Sequence, residues 1–404
     1  MLTLVVLIGG GVLGWHHLTR VPVVARADVS PDAPLTLTAQ RFGAITGDTT
    51  VIAPPRDDLG NQNHAYLHHD GTTFWAMWSS GPPVEDEPGQ EVRYATSPDG
   101  MNWSAPRLLS APRSEDHGLI ARGFWAHPDG RLVAIIAEFR GTGGAFGAAK
   151  HTRTLLMEKG EPGWQRAETL LQDTITNYPP FAQDGVYYLP SRDTTHRSRF
   201  ESSLLASDAT GRGWMSAHEF AWDSEGGFRP DEPAMFTAGD GRLCVLFRNN
   251  GLDRRLYHSC RLRAQGWTKP AAVALPNNCS KTFPLRLDPD SLLLSGNFEP
   301  ARERSILHLA LAEVDGSIDR VLRVTTLSEW TLSSMHRLLY PHMIRQGTDL
   351  YLIYSIDKRK IEVMRLALSD VRAGRGSLMA HATALFAALK RDLNTLLRPG
   401  VQYC

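Results

Sequence analysis

The 404-residue chain is poor in cysteine and has no surplus of charge: four cysteines, with 43 Lys+Arg against 43 Asp+Glu. The even balance removes the electrostatic case for nucleic acid or an anionic membrane surface as the main partner. It leaves room for a local basic pocket that takes one acidic group. No C-x-x-C spacing occurs among Cys244, Cys260, Cys279 and Cys404, which argues against a thiolate zinc site. The glycine-rich stretch Gly141–Ala149 (GTGGAFGAA) lacks a Gly-Lys-Ser/Thr ending, and the strand before it belongs to a hairpin. A phosphate-binding loop is therefore rejected, and no cofactor or metal is expected. Long apolar runs are also missing, except at the start. Leu2–Trp15 has the length of a signal-peptide core and is short for a membrane span, and Ala25-Arg26-Ala27 follows as a cleavage-type site. Residues 1–27 thus read as a signal peptide, or as an uncleaved anchor running on through Val24. Either exports the domain and confines membrane contact to this segment; a buried helix is the third option.

What is abundant is repetition. Six segments share one pattern, an apolar strand, a tight turn and a second apolar strand: HAYLHHDGTTFWAMWS, GFWAHPDGRLVAIIAEF, YPPFAQDGVYYLPS, AMFTAGDGRLCVLFR, FPLRLDPDSLLLSGNF and HMIRQGTDLYLIYSI. Their turns fall at Gly71, Gly130, Gly185, Gly241, Ser291 and Gly347, spaced by 50 to 59 residues. Asp-Gly between β-rich runs is a strong hairpin signal, because the turn needs residues that tolerate positive φ. After each of the first four hairpins comes a third strand and then a tryptophan: Trp103, Trp164, Trp214 and Trp267. Units of this length with three or four strands are propeller blades. The fold class expected is all-β: a six- or seven-bladed β-propeller over 28–371, with a C-terminal helical extension over 372–404. Residues 35–53 (LTLTAQRFGAITGDTTVIA) have no hairpin partner and would supply the outer strand that closes the ring, or part of a seventh blade. Ser377–Leu397 carries an apolar stripe at helical spacing and reads as an amphipathic helix packed on the propeller. Cys244 and Cys260 fall on neighbouring strands, so a disulfide is possible after export, with buried free thiols slightly favoured.

Two short motifs carry a family resemblance. Ser97-Pro-Asp99-Gly100-Met-Asn-Trp103 resembles the Asp-box turn of sialidase-like (BNR-repeat) propellers, and Ser207–Trp214 (SDATGRGW) repeats its Ser, Gly and Trp with Ala209 in place of the Asp. Further stretches between Asn61 and Val371 are similar to the polysaccharide-lyase branch of these propellers, which includes ulvan lyases and rhamnose–glucuronate lyases. They are His64–Ser80, EDEPGQ, VRYATSPDG, ARGFW, NYPP, RPDEP, SKTFPLRL, and YPH followed by LYLIYSIDKRKIEV. The resemblance implies an acidic polysaccharide or oligosaccharide as partner. No F/Y-R-I-P motif of a true sialidase is found near the start.

Candidate site residues follow from the ring geometry, since the first strand of each hairpin lines the central channel. Just upstream of the turns stand His64, Arg122, Tyr178, Asp231 and Glu232, Lys281, and Tyr340 with His342 nearby. A propeller core has no structural demand for charge there, so the convergence marks a site. His64, Tyr178, Tyr340 and His342 are the acid–base candidates. Arg122, Arg192, Arg229, Asp231, Glu232, Arg248 and Lys281 are the substrate-binding candidates. A lyase needs a carboxylate clamp, which arginine supplies, and proton transfer, which histidine or tyrosine supplies. A hydrolase would use paired carboxylates, and the neighbours Asp231 and Glu232, on opposite faces of a strand, cannot form that pair alone. A sialidase would use an arginine cluster with a Tyr–Glu pair. Each residue also has a bland role: core histidine, inter-blade ion pair, or packing against proline.

Overall fold

A computed structural model describes residues 39–374, apart from Asp57, Leu59, Arg113, 143–151, 161–162, 195–201, 222–226, Leu252, 263–264, Asn278, 299–303, Ser305, 314–317 and 325–336. Residues 1–27, expected to be a signal peptide or anchor, most of the glycine-rich loop and the 377–397 segment lie outside the described residues. Among the described residues no helix is long and apolar enough to cross a membrane.

Six antiparallel sheets form the six blades of a β-propeller. Blade 1 comprises Asn61–His69, Phe74–Gly81, Glu91–Ser97 and Arg107–Ser110. Blade 2 comprises His117–Ala126, Leu132–Arg140, Thr152–Lys159 and Trp164–Gln172. In blade 3 the inner strand is split into Thr174–Thr176 and Phe181–Gln183, followed by Val186–Asp193, Ser202–Ser207 and Met215–Phe220. Blade 4 runs Pro230–Thr237, Leu243–Asn249 and Arg255–Leu262, with Gly266–Trp267 and Ala271–Pro276 along its outer side. Blade 5 holds Phe283–Asp288, Ser291–Gly296, Leu307–Glu313 and Ile318–Val324. Blade 6 holds Leu338–Gln346, Asp349–Ile356 and Lys360–Ala367, and its outer strand is Asp48–Ala53 from the other end of the chain. That is the closure expected from residues 35–53, with six blades rather than seven. The stretch just before it, Ala39–Ile45, adds a parallel fifth strand to blade 5. A short helix, Leu368–Ala373, ends the described chain, with Leu368 and Val371 buried.

Three of the periodic tryptophans seal blades 2, 3 and 4 onto the blade before. Trp164 of blade 2 packs on Trp75 and Tyr94 of blade 1, Trp214 of blade 3 on Trp125 of blade 2, and Trp267 of blade 4 on Phe220 and His218 of blade 3. In the first Asp-box, Asp99 Oδ1 accepts the backbone N–H groups of Met101 (2.9 Å) and Asn102 (2.7 Å), and Trp103 Nε1 donates to Gly100 O (2.9 Å). The second lacks its Asp at Ala209, yet Asp208 one residue earlier accepts Thr210 N–H (2.8 Å). Both carboxylates serve the turns alone.

Cys244 and Cys260 sit directly opposite each other on adjacent strands and are joined by a disulfide. This corrects the expectation of free thiols: cross-strand register brings the two residues together, which composition does not reveal. Cys279 is disulfide-bonded as well. The Cys244–Cys260 bridge spans 16 residues, so loop-closure entropy assigns it about 3 kcal/mol. Double replacement by alanine should lower the urea midpoint accordingly; an unchanged midpoint would make the bond energetically idle.

Candidate functional site

The hairpin turns close one end of the ring, so the second-to-third-strand loops and the inter-blade connections open at the other end. There the first strand of every blade is interrupted at the same height. Register shifts occur at Asn63/Tyr66, Ala121/Gly123, Asp231/Ala234 and Leu339/His342. In blade 3 the strand breaks between Thr176 and Phe181, and in blade 5 it begins only after Lys281. A bulge re-aims a side chain that the regular pleat would bury between sheets. His64 (φ 50°), Glu232 (φ 42°) and Tyr340 (φ 54°) take left-handed backbone conformations at these bulges. Such strain in non-glycine residues collects at functional sites. In blade 2 the corresponding residue is Gly123 (φ 111°), where a Cβ would come within 2.6 Å of Pro179. Glycine therefore lets the bulge form, with Arg122 buried beside it.

The side chains brought together form a buried, charge-rich cluster. Arg192 pairs with Asp231, and Arg248 Nη1 donates to Glu232 Oε2 at 2.8 Å. Asn250 bridges these pairs, accepting from Arg248 Nε (3.0 Å) and donating to Asp231 Oδ2 (3.1 Å). On the blade 1 side, Glu85 takes Lys358 as ion-pair partner, accepts from Asn63 Nδ2, and lies 3.1 Å from His64 Nε2. The His64 and Tyr340 rings meet edge-on at 4.7 Å. At the centre the Tyr66 hydroxyl donates to Asn177 O (2.7 Å) and receives Lys281 Nζ (2.5 Å). Arg122, 2% exposed, hydrogen-bonds Tyr66, but its Nε and Nη1 have no hydrogen-bond partner among the described residues.

These contacts separate the acid–base candidates. Burial lowers His64 to about 3, against the pull of Glu85, so its imidazole is neutral at ordinary pH. Both its nitrogens face protein groups, Nε2 toward Glu85 and Nδ1 3.4 Å from Ser79 Oγ. Burial and the Glu85 charge raise the Tyr340 phenol, leaving it a neutral donor. Tyr178 donates to Thr282 O (3.0 Å) and is raised by burial. His342 lies in a pile of rings, 4.1 Å from Phe283 and 5.4 Å from Tyr66, with Nδ1 accepting Leu67 N–H at 3.2 Å. Arg229 stands just ahead of the blade 4 inner strand, its backbone held by Asn249 and Asn250.

Sequence reasoning missed four residues that face this cluster. Glu85 and Asp86 come from the second-to-third-strand loop of blade 1, Arg304 from that of blade 5, and Lys358 from that of blade 6. The two adjacent carboxyls are driven apart. Burial pushes Glu85 up, but His64, Lys358 and Arg304 hold it below its ordinary value. Burial and the Glu85 charge push Asp86 up to about 6. Burial likewise works against Glu232, yet Arg248 and Lys281 keep it ionised. The acidic run Glu85-Asp86-Glu87 was visible in the sequence; its place in a loop at the open end was the signal that mattered. Six cationic side chains (Arg122, Arg192, Arg248, Lys281, Arg304, Lys358) thus share this end with four carboxyls (Glu85, Asp86, Asp231, Glu232). The excess suits an anionic ligand.

The profile described as "BNR repeat-like domain" matches residues 72–352. No curated protein matches the sequence significantly. Among solved structures, a Dyadobacter fermentans protein of unknown function superposes with a TM-score of 0.60 at 12% identity, covering 80% of this chain and 99% of that one. The Hadza microbial sialidase Hz136 gives 0.60 at 11%, covering 80% and 68%. Trypanosoma rangeli sialidase, in its covalent complex with a difluorosialic acid, gives 0.60 at 12%, covering 81% and 60%. At these identities the likeness is one of fold.

Proposed function

The chain belongs to the BNR repeat-like domain family, and on that premise we propose that it cleaves the glycosidic bond of a sugar bearing a carboxylate. The observation that carries this reading is Arg122, a guanidinium buried at the axis with two donors unpartnered among the described residues. A buried, unsatisfied guanidinium is costly unless a ligand completes it, and its planar fork matches a carboxylate. The similar sialidases act on carboxylated sugars, which agrees with that chemistry.

Hydrolysis is the reaction the carboxyl groups support best. Asp86 is protonated into the near-neutral range, as a general acid for the leaving oxygen must be. Glu232 stays ionised, and Tyr340 stands as a neutral phenol at the same end. In this assignment Arg122 holds the sugar carboxylate, with Arg248 and Arg304 around it; Asp86 protonates the departing oxygen, and water supplies the oxygen that replaces it on the anomeric carbon and the proton that restores Asp86. Elimination of the lyase kind is the second reading, favoured by the contact between the neutral His64 and Tyr340 rings. It requires substrate to displace Glu85 or Ser79 from a His64 nitrogen.

The test is product analysis on a panel of sialosides and uronic-acid polysaccharides. New reducing ends without the absorbance of an unsaturated uronate are expected. Unsaturated product, abolished in His64→Gln, would replace hydrolysis by elimination. Saturable oligosaccharide binding with no product under any condition would make the protein a non-catalytic glycan binder.

A further inference from the structure

We infer that Lys281 is a nucleophilic amine at the floor of the axial cluster, able to form an imine with a small carbonyl compound that carries a carboxylate. This activity goes beyond glycosidic cleavage and stands whether or not that bond is cut.

The geometry isolates the amine from any counter-ion. Lys281 is 3% exposed, and its Nζ lies 4.6 Å and 4.2 Å from the ring centroids of Tyr66 and Tyr178. Among the described residues no carboxylate pairs with it; Glu232, whose charge reaches it, is held by Arg248. Burial, reinforced by Arg122, Arg192 and Arg248, brings the ammonium down to about 7, so a large share is free amine at neutral pH. A free amine has two hydrogens and one lone pair. Tyr66 Oη at 2.5 Å and Asn177 O at 3.1 Å accept the two hydrogens, which leaves the lone pair uncommitted. Lysines made nucleophilic in this way, by apolar walls and neighbouring cations, form Schiff bases with carbonyl substrates.

The surroundings provide the other two requirements. Arg122, bonded to the same Tyr66, offers its unpartnered Nε and Nη1 to a carboxylate handle. Tyr66 supplies a hydroxyl beside the nitrogen to relay protons. In the reaction the nitrogen lone pair attacks the carbonyl carbon, and the C=O π pair moves to oxygen, which takes up a proton. The resulting carbinolamine loses that oxygen as water, the nitrogen giving up its two hydrogens, and a C=N bond remains. No oxidant or reductant is consumed.

The probe is glyoxylate, with propanal as its uncharged counterpart, each added to the full chain at neutral pH with cyanoborohydride. The reductant delivers hydride to any imine carbon and leaves a stable secondary amine. Peptide mass spectrometry should place the glyoxylate-derived adduct on Lys281 ahead of surface lysines. Arg122→Gln should reduce that labelling by about tenfold or more beyond any fall in propanal labelling, because it removes a charge-assisted hydrogen bond to the carboxylate, whereas the loss of the cation beside the ammonium affects both aldehydes alike. Lys281→Arg should abolish the mapped adduct. Labelling confined to surface lysines would overturn the inference, as would equal labelling by the two aldehydes. The wild-type map decides even if either variant fails to fold.

Discussion

An Asp86→Asn variant is expected to cleave its glycan about 10²–10⁴-fold more slowly than the parent while binding it comparably, the usual cost of removing a general acid. The expectation rests on two carboxyls adjacent in sequence and opposite in charge state. Glu85 is held ionised by His64, Lys358 and Arg304, and its charge, added to burial, keeps the proton on Asp86 up to about pH 6. The protonated form is the working acid, so parental kcat/KM should fall as pH rises through about 6, and this limb should vanish in the variant. Stability follows the same proton. A free aspartate titrates near 4, so the folded protein binds this proton more tightly than the unfolded chain does. The stabilisation is complete below the unfolded value and lost as pH rises through about 6. Asparagine is neutral throughout, so the variant should melt higher than the parent above pH 6 and equally at pH 4. A pH-independent melting difference, or a rate within a few-fold of the parent's, would remove Asp86 from the mechanism.

The second large effect concerns Arg122. Arg122→Met should raise KM for the acidic substrate by about 10²-fold or more, because two charge-assisted hydrogen bonds to a carboxylate are lost. It should also leave the empty protein as stable as the parent, or more so. Removing one partner of a satisfied buried ion pair leaves an orphan charge and destabilises strongly. Arg122 has donors with no protein partner among the described residues, and methionine fills much of the same space without needing any. Asp231→Asn supplies the contrast, since it strips Arg192 of its ion-pair partner and should lower the melting temperature. If Arg122→Met destabilised the protein as much as Asp231→Asn, the guanidinium would be a structural strut rather than a ligand clamp.

The ring was legible because its signals are local and repeat. Six turns between apolar strands located the hairpins, and the tryptophans after the third strands marked where one blade meets the last. The ring positions of His64, Arg122, Glu232, Lys281 and Tyr340 followed from counting back from those turns. The parallel pairing of Ala39–Ile45 with Ile318–Val324 was not legible, since nothing local separates a fifth strand of blade 5 from the outer strand expected over residues 35–53. Nor were Glu85, Asp86, Arg304 and Lys358, which sit in loops of unequal length without a period. Their convergence depends on which end of the ring those loops open, a property of topology rather than pattern. His64 marks a subtler limit. Its position was read correctly, but its engagement by Glu85 and Ser79 depends on a loop residue and a neighbouring strand.

The outer strand of blade 6 bears on how such a chain reaches its native state. Asp48 stands opposite Arg365, so the strand that emerges early from the ribosome has no partner until the last blade has been made. Folding from the N-terminus forward can assemble blades 1 to 4 in order, but Asp48–Ala53 must wait as an unpaired edge through most of synthesis. Such an edge invites pairing with other chains. Ala39–Ile45 waits beside it for blade 5, so one short stretch clasps the final two blades together. Synthesis sets the order of the blades; a strand made before any of them completes the ring last.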